Sequence, residues 1–240
     1  MIKNIRIQGL KCFDDINLEL ADLTLLAGRN SAGKSTVIQA LLAMYQESAS
    51  SLAGPYMNIG TVNEVKNKIA GSKEIVLEAV YDGAAGKTCA YQKRFLDDRD
   101  EQRTGEPFPE SMKVLYLTAD RIGVRDAYEM SVDGREDIGI RCEYAFYYLS
   151  EHDTERLREE DFIYDRNSKL TFSGQVNYWL YRILGYRVKA EKIPFTELIR
   201  VVYENDAIGQ DIRPKNVGCL LYTSFRSPMP GILLRYCRLS

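Results

Sequence analysis

Histidine is almost absent from this chain. One residue in 240, His152, carries the imidazole. It sits in the charged run Glu151–Asp161 and reads as a solvated helix residue, so histidine-based metal or acid–base chemistry has no footing here. The five cysteines (Cys12, Cys89, Cys142, Cys219, Cys237) are odd in number and scattered, without a C-x-x-C pair. That pattern excludes a zinc ribbon and a disulfide framework, and it predicts reduced thiols in a cytoplasmic protein. No apolar run is long enough to cross a bilayer. Met1–Leu10 alternates apolar and polar residues and is followed by no signal-peptide core. The formal net charge is −2, so there is no global basic footprint, and contact with DNA would need a local patch. An N-K-x-D motif for reading guanine is missing. So are the clustered carboxylates of a two-metal nuclease.

What is present is concentrated between Ala27 and Leu42, in AGRNSAGKSTVIQALL. Gly28, Gly33, Lys34 and Ser35 satisfy G-x-x-x-x-G-K-[ST] without deviation. An apolar run, Leu23 to Ala27, precedes the loop and predicts a strand. After it, Val37, Ile38, Leu41, Leu42 and Tyr45 recur at helical spacing. Glycines let such a loop curl so that successive N–H groups face phosphate oxygens, and the helix N-terminus adds partial positive charge. In that arrangement Lys34 reaches the outer phosphates and the Ser35 hydroxyl holds Mg²⁺. The expected ligand is a nucleoside triphosphate.

The rest of the chain reads as a mixed α/β protein. Ile2–Ile7 and Ile16–Leu20 alternate as strands. Ser48–Gly60 is an excursion rich in Ser, Gly and Pro, and Glu74–Asp82 with Thr88–Phe95 predicts a hairpin around DGAAGK. Asp97–Pro109 is charged and loop-like, Val114–Leu117 a short strand, and Glu143–Glu160 helical. Val176, Trp179, Leu180, Ile183 and Leu184 mark the core face of a helix with Ser173 as cap and Gly185 as stop. Tyr186–Ile193 and Glu197–Glu204 form a second strand pair. Three early strands and an antiparallel hairpin beside a phosphate loop suit an antiparallel β-layer leaning on an α/β core.

The opening residues 1–42 resemble the N-terminus of ABC-type ATPase heads of the SMC and RecF kind. There a strand, a short K-x-F turn and a second strand precede G-x-N-x-x-G-K-S. The blocks LAGPYMNIGTVNEV, VLYLTADRIGVR, QVNYWLYRIL and IRPKNVG resemble OLD-like AAA ATPases, in the subgroup with an uncharacterised C-terminal domain. The resemblance covers residues 1–218 and implies a P-loop NTPase of the ABC-head type that binds ATP and Mg²⁺. It implies that Arg29, Asn30, Ser31, Ala32 and Thr36 line the phosphates with Gly28, Gly33, Lys34 and Ser35, and that Lys11 and Phe13 approach the nucleotide. It also implies an ATP-dependent pair of heads and an event on DNA, in repair or defence against phage.

Such heads hydrolyse ATP with a glycine-serine signature and an acidic strand, which in relatives follow N-V-G. Here Asn216, Val217 and Gly218 precede CLLYTSFRSPMPGILLRYCRLS, which has three arginines, no acid and no periodicity. CLLYTS matches the translated end of a sequencing-library adapter. Residues 219–240 are therefore expected not to be native sequence, and residues 1–218 to be a head incomplete at its C-terminus. Within the chain, Asp120 at the end of VLYLTAD is the alternative Mg²⁺ partner. It would serve a self-contained phosphotransferase with Arg121 and Arg125 nearby. TFSGQV mimics a transporter signature but opens a helix instead. A regulator that binds nucleotide without turnover is the remaining alternative.

Overall fold

A computed structural model of the chain describes residues 1–47, 52–83, 86–131, 137–157, 163 and 169–217. The expected non-native tail, residues 219–240, lies outside the described residues, as do Ser48–Ser51 of the excursion and Ala84 and Ala85 of the hairpin turn. The chain divides into two compact units, Met1–Val114 and a second beginning at Leu115.

In the first unit, strands β1 (Ile2–Gln8), β2 (Asp15–Glu19), β3 (Ile75–Asp82), β4 (Thr88–Phe95) and β5 (Glu101–Gly105) form one antiparallel sheet in the order β2-β1-β3-β4-β5. Alternation along each strand sends one set of side chains inward. Ile5 and Ile7 of β1, Ile75, Leu77, Ala79 and Tyr81 of β3, and Tyr91 and Phe95 of β4 are buried. Helix α1 (Lys34–Tyr45) packs on this face through Val37, Ala40, Ala43 and Met44. The small alanines allow close approach, whereas Ile38, expected on the buried stripe, is 40% exposed. Short helix α2 (Val62–Val65) starts at a capping box in which Thr61 and Glu64 satisfy each other's backbone N–H.

The second unit has its own core. Strands β6 (Ala127–Glu129), β7 (Arg187–Lys192) and β8 (Leu198–Glu204) form an antiparallel sheet in the order β6-β8-β7. Helices α3 (Ala145–Glu151) and α4 (Phe172–Leu184) cover it, burying Phe146, Leu149, Phe172, Val176 and Leu180 against Val188, Ile199, Val201 and Tyr203. Trp179 is half-buried against this core, as its helical spacing indicates. Gly185 ends α4 in the left-handed conformation at φ 72°, the expected stop.

Several sequence expectations need correction. Leu23–Ala27 is not a strand: none of the described residues pairs with it, and Leu23 and Leu25 are 89% and 86% exposed. The Thr24 hydroxyl bonds the Ala21 backbone, and Leu26 packs against the core of the first unit. The charged segment read as loop contains β5, whose polar residues are those of an exposed sheet edge. Val114–Leu117 forms no ladder either. Thr118 and Ile122 N–H instead donate to the carbonyls of Ile140 and Arg141. The helix expected over 143–160 stops at Glu151, because Arg156 bridges to Thr171 and Leu157 bonds Leu170. Residues 158–160 lie outside the described set. The cap of α4 is Thr171, whose hydroxyl accepts from Gly174 N–H, while Ser173 donates to the Asp153 carbonyl. Ile183, assigned to the core stripe, is 50% exposed.

Candidate nucleotide site

The loop from Gly28 to Thr36 has the backbone its glycines permit. Gly28 (φ 150°), Ser31 (φ 64°) and Gly33 (φ 91°) all lie in the left-handed region. Gly33 is the N-cap of α1 and is required twice over, by conformation and by space. A Cβ there would come within 2.4 Å of Phe13 Cζ and 2.7 Å of Cys12 Sγ. The turn Lys11-Cys12-Phe13 thus packs directly beneath the last glycine of the loop.

That turn is itself anchored. Lys11 sits at φ 51°, its N–H donates to the Val65 carbonyl at 2.7 Å, and its Nζ donates to Gln39 Oε1 of α1 at 2.8 Å. Phe13 is half-buried against the core of the first unit. Both residues expected to approach a nucleotide therefore stand beside the loop and brace it: Phe13 from beneath Gly33, Lys11 from the flank of α1.

Arg29, Asn30, Ser31, Ala32 and Ser35 are exposed, Lys34 is half-buried, and Gly33 and Thr36 are buried. The Lys34 ammonium donates to the carbonyls of Gly28 at 2.9 Å and Arg29 at 2.6 Å, so it spans the loop it belongs to. Val37 N–H is the first to bond back to the Gly33 carbonyl. The N–H groups of Lys34, Ser35 and Thr36 precede it and have no intrahelical acceptor, as in any first helical turn. A flexible cation, open N–H groups, a helix dipole and an exposed hydroxyl at Ser35 converge on one mouth.

This donor set fits an oligophosphate: the Lys34 ammonium and the first-turn N–H groups are cation and donors, and the loop carbonyls that Lys34 holds are occupied by it. A magnesium ion would take one ligand from this loop, the Ser35 hydroxyl, with phosphate oxygens and water completing its shell. Asp120 stands in the second unit on a loop. Its side chain is 82% exposed and pairs with Arg141 at 3.3 Å. Of its expected companions, Arg121 bonds the Thr118 carbonyl, and Arg125 pairs with Glu129 in an exposed i,i+4 bridge. Among the described residues no three His, Cys, Asp or Glu side chains gather in a metal-holding group. His152 pairs with Glu155 and packs against Tyr148.

The opposite end of α1 holds a feature the sequence reading missed. Lys93 is fully buried, and its ammonium donates to the carbonyls of Ala43 at 3.1 Å and Gln46 at 3.0 Å. These are the orphan carbonyls of the helix C-terminus, where a cation also meets the negative end of the dipole. Glu47 lies 3.6 Å and Glu101 3.9 Å away. Burial holds Lys93 below the ordinary lysine range, against the pull of those two carboxylates. Tyr91 donates to Glu47 at 3.1 Å; burial, with the Glu47 charge beside it, pushes its phenol up to about 12. The signal was legible: Lys93 occupies an inward position of β4, between Tyr91 and Phe95, where alternation demands an apolar residue.

A glycine-shaped loop opening a helix, with a lysine able to reach across it, is the geometry of a phosphate-binding loop. Comparison with known families agrees. Residues 1–177 match the family described as AAA ATPase domain, and the chain belongs to that family. Over 41 residues the chain is 39% identical to the OLD nuclease of Thermus scotoductus. The match spans 17% of this chain and 8% of that protein's length. No helix among the described residues is long and apolar enough to cross a membrane.

Proposed function

We propose that this chain binds ATP with Mg²⁺ at residues 28–36 and is the nucleotide-holding part of an OLD- and RecF-like ABC-type head. In the intact protein such a head hydrolyses ATP when a second head closes over the γ-phosphate, and the cycle serves DNA repair or defence against phage in the cytoplasm. The observation that carries the binding is the Lys34 ammonium poised over the loop beside the open first turn of α1. Lys11, Cys12 and Phe13 support it by fixing the loop from below. Arg29, Asn30 and Ser31, exposed at the loop apex, line the phosphates in this reading. The open backbone and exposed leucines of Leu23–Ala27 support a further strand of the head lying alongside that segment in the intact protein.

Chemically, the loop grips and does not itself break a bond. Lys34 and the first-turn N–H groups neutralise phosphate charge, and Ser35 orients the metal that bridges the outer phosphates. A carboxylate must still orient the attacking water. Asp120 is the residue the self-contained phosphotransferase would use, and its exposed carboxylate pairs with Arg141. Equilibrium binding of ATP with and without Mg²⁺, together with phosphate release, separates the readings. Saturable Mg²⁺-dependent binding, lost in Lys34→Ala and without turnover by the chain alone, is expected. Turnover that vanishes in Asp120→Asn would replace the head by a phosphotransferase. Absence of binding would overturn both.

A further inference from the structure

The second unit contains an open sheet edge inside a groove. Among the described residues strand β7 pairs only with β8, which leaves one side of its backbone without a strand partner. Ile193 N–H bonds the Leu198 carbonyl at 2.9 Å in the same register, which fixes the parity. Odd-numbered residues of β7 bond β8, and Val188, Ala190 and Lys192 turn their N–H and C=O groups away from it. At Val188 those groups are taken by a side chain that imitates a strand. Asn177 of α4 accepts from Val188 N–H at 2.7 Å and donates to its carbonyl at 3.1 Å. Ala190 and Lys192, the next two rungs, have no such partner among the described residues. Beside Val188 and Ala190 a cavity of about 1030 Å³ runs between β7 and α4, with Tyr178, Tyr181, Arg182 and Lys169 on its wall.

We infer that this groove receives an extended, acidic peptide segment of a partner protein, which adds a strand to β7 at Ala190 and Lys192. Three observations set its chemistry. The edge offers alternating donors and acceptors at peptide spacing, which another peptide backbone complements and a polynucleotide does not. Tyr178 and Tyr181 give alternate side chains of the guest a partly apolar wall. Arg182 donates only to the Tyr178 hydroxyl, at 2.9 Å, and Lys169 has no acidic partner among the described residues, so two cations wait for carboxylates. Of the other wall charges, Arg187 pairs with Asp206, Lys189 with Glu204 and Glu191 with Arg200, and Asp153 adds a single carboxylate against the two cations. Asn177, already bonded as a rung, fixes where the added strand begins.

The test uses the full chain and a pool of fluorescein-labelled decapeptides alternating valine with glutamate. Saturable binding is expected, weakened about tenfold or more by Arg182→Glu, since a hydrogen bond to a charged group is lost and repulsion added. Ala190→Pro removes the edge N–H and should abolish binding. Should that variant misfold, backbone N-methylation of every second peptide residue makes the same test on the unmodified protein. Amide exchange at Ala190 and Lys192 should slow when peptide is added. Binding unchanged in Arg182→Glu and indifferent to N-methylation would overturn the proposal, as would no binding by the pool. Capture of a single-stranded oligothymidylate instead, competing at Arg182, would assign the groove to nucleic acid and overturn it equally. So would concentration-dependent self-association lost in Ala190→Pro without peptide binding, which would make the guest a second copy. None of these outcomes depends on nucleotide at residues 28–36.

Discussion

The two ends of helix α1 each meet a lysine, and the contrast between them separates machinery from scaffold. At the N-terminal end, Lys34 is half-buried on a loop of exposed residues and holds two carbonyls of that same loop. At the C-terminal end, Lys93 is fully buried and holds two carbonyls of the helix from a neighbouring strand. A lysine bonded to its own loop can exchange those partners for phosphate at little conformational expense. A lysine sealed beneath a helix terminus cannot leave without stranding two buried carbonyls. The first end is built to change partners and the second to stay.

The largest effect should come from breaking the fixed end. Lys93→Met leaves the buried Ala43 and Gln46 carbonyls without their donor, while Glu47 and Glu101 keep Arg103, and is expected to destabilise the fold by about 1–3 kcal/mol for each carbonyl in urea denaturation. Next comes the hinge between turn and helix. Gly33→Ala forces a Cβ into Phe13 at φ 91° and should cost about 1–3 kcal/mol of stability, read as a lower thermal midpoint. Lys34→Ala sharpens the contrast from the other side. It should leave stability within about 0.5 kcal/mol, as for a surface substitution, while lowering ATP affinity by about tenfold or more.

A smaller effect concerns pH. Tyr91 has its phenol raised to about 12 in the folded state from an ordinary value of 10.0. A raised group contributes stability below its unfolded value and loses it as pH climbs through the folded one. Stability should therefore fall between about pH 10 and about pH 12, and Tyr91→Phe should flatten that fall in denaturation curves taken across the window. The smallest effect is expected at Leu23 and Leu25. Changing both to serine removes little buried area, so stability should shift by no more than about 0.5 kcal/mol while aggregation declines.

The same contrast explains what could be read from the chain before its structure. The mobile end was legible because phosphate-binding loops are local: Gly28, Gly33, Lys34 and Ser35 sit within eight consecutive positions and need no distant partner to be recognised. The β3–β4 hairpin and the β7–β8 pair were legible for the same reason, since alternation and a short turn fix their register. Lys93 was missed because its meaning depends on residues 50 and 47 positions away in sequence. Leu23–Ala27 was misread because apolar content alone predicts a strand, whereas a strand needs a neighbour to bond. The end of α3 depended likewise on the Arg156–Thr171 bridge, which periodicity does not carry. Asp120 was read at the end of a strand that the described residues do not form, and its exposed carboxylate lies 3.3 Å from Arg141.

Amide hydrogen exchange across α1, with and without MgATP, tests the central claim most directly. The account expects protection to rise at residues 28–37, to stay unchanged at residues 43–47, and to vanish in Lys34→Ala. Equal exchange at residues 28–37 in the presence and absence of MgATP would contradict it.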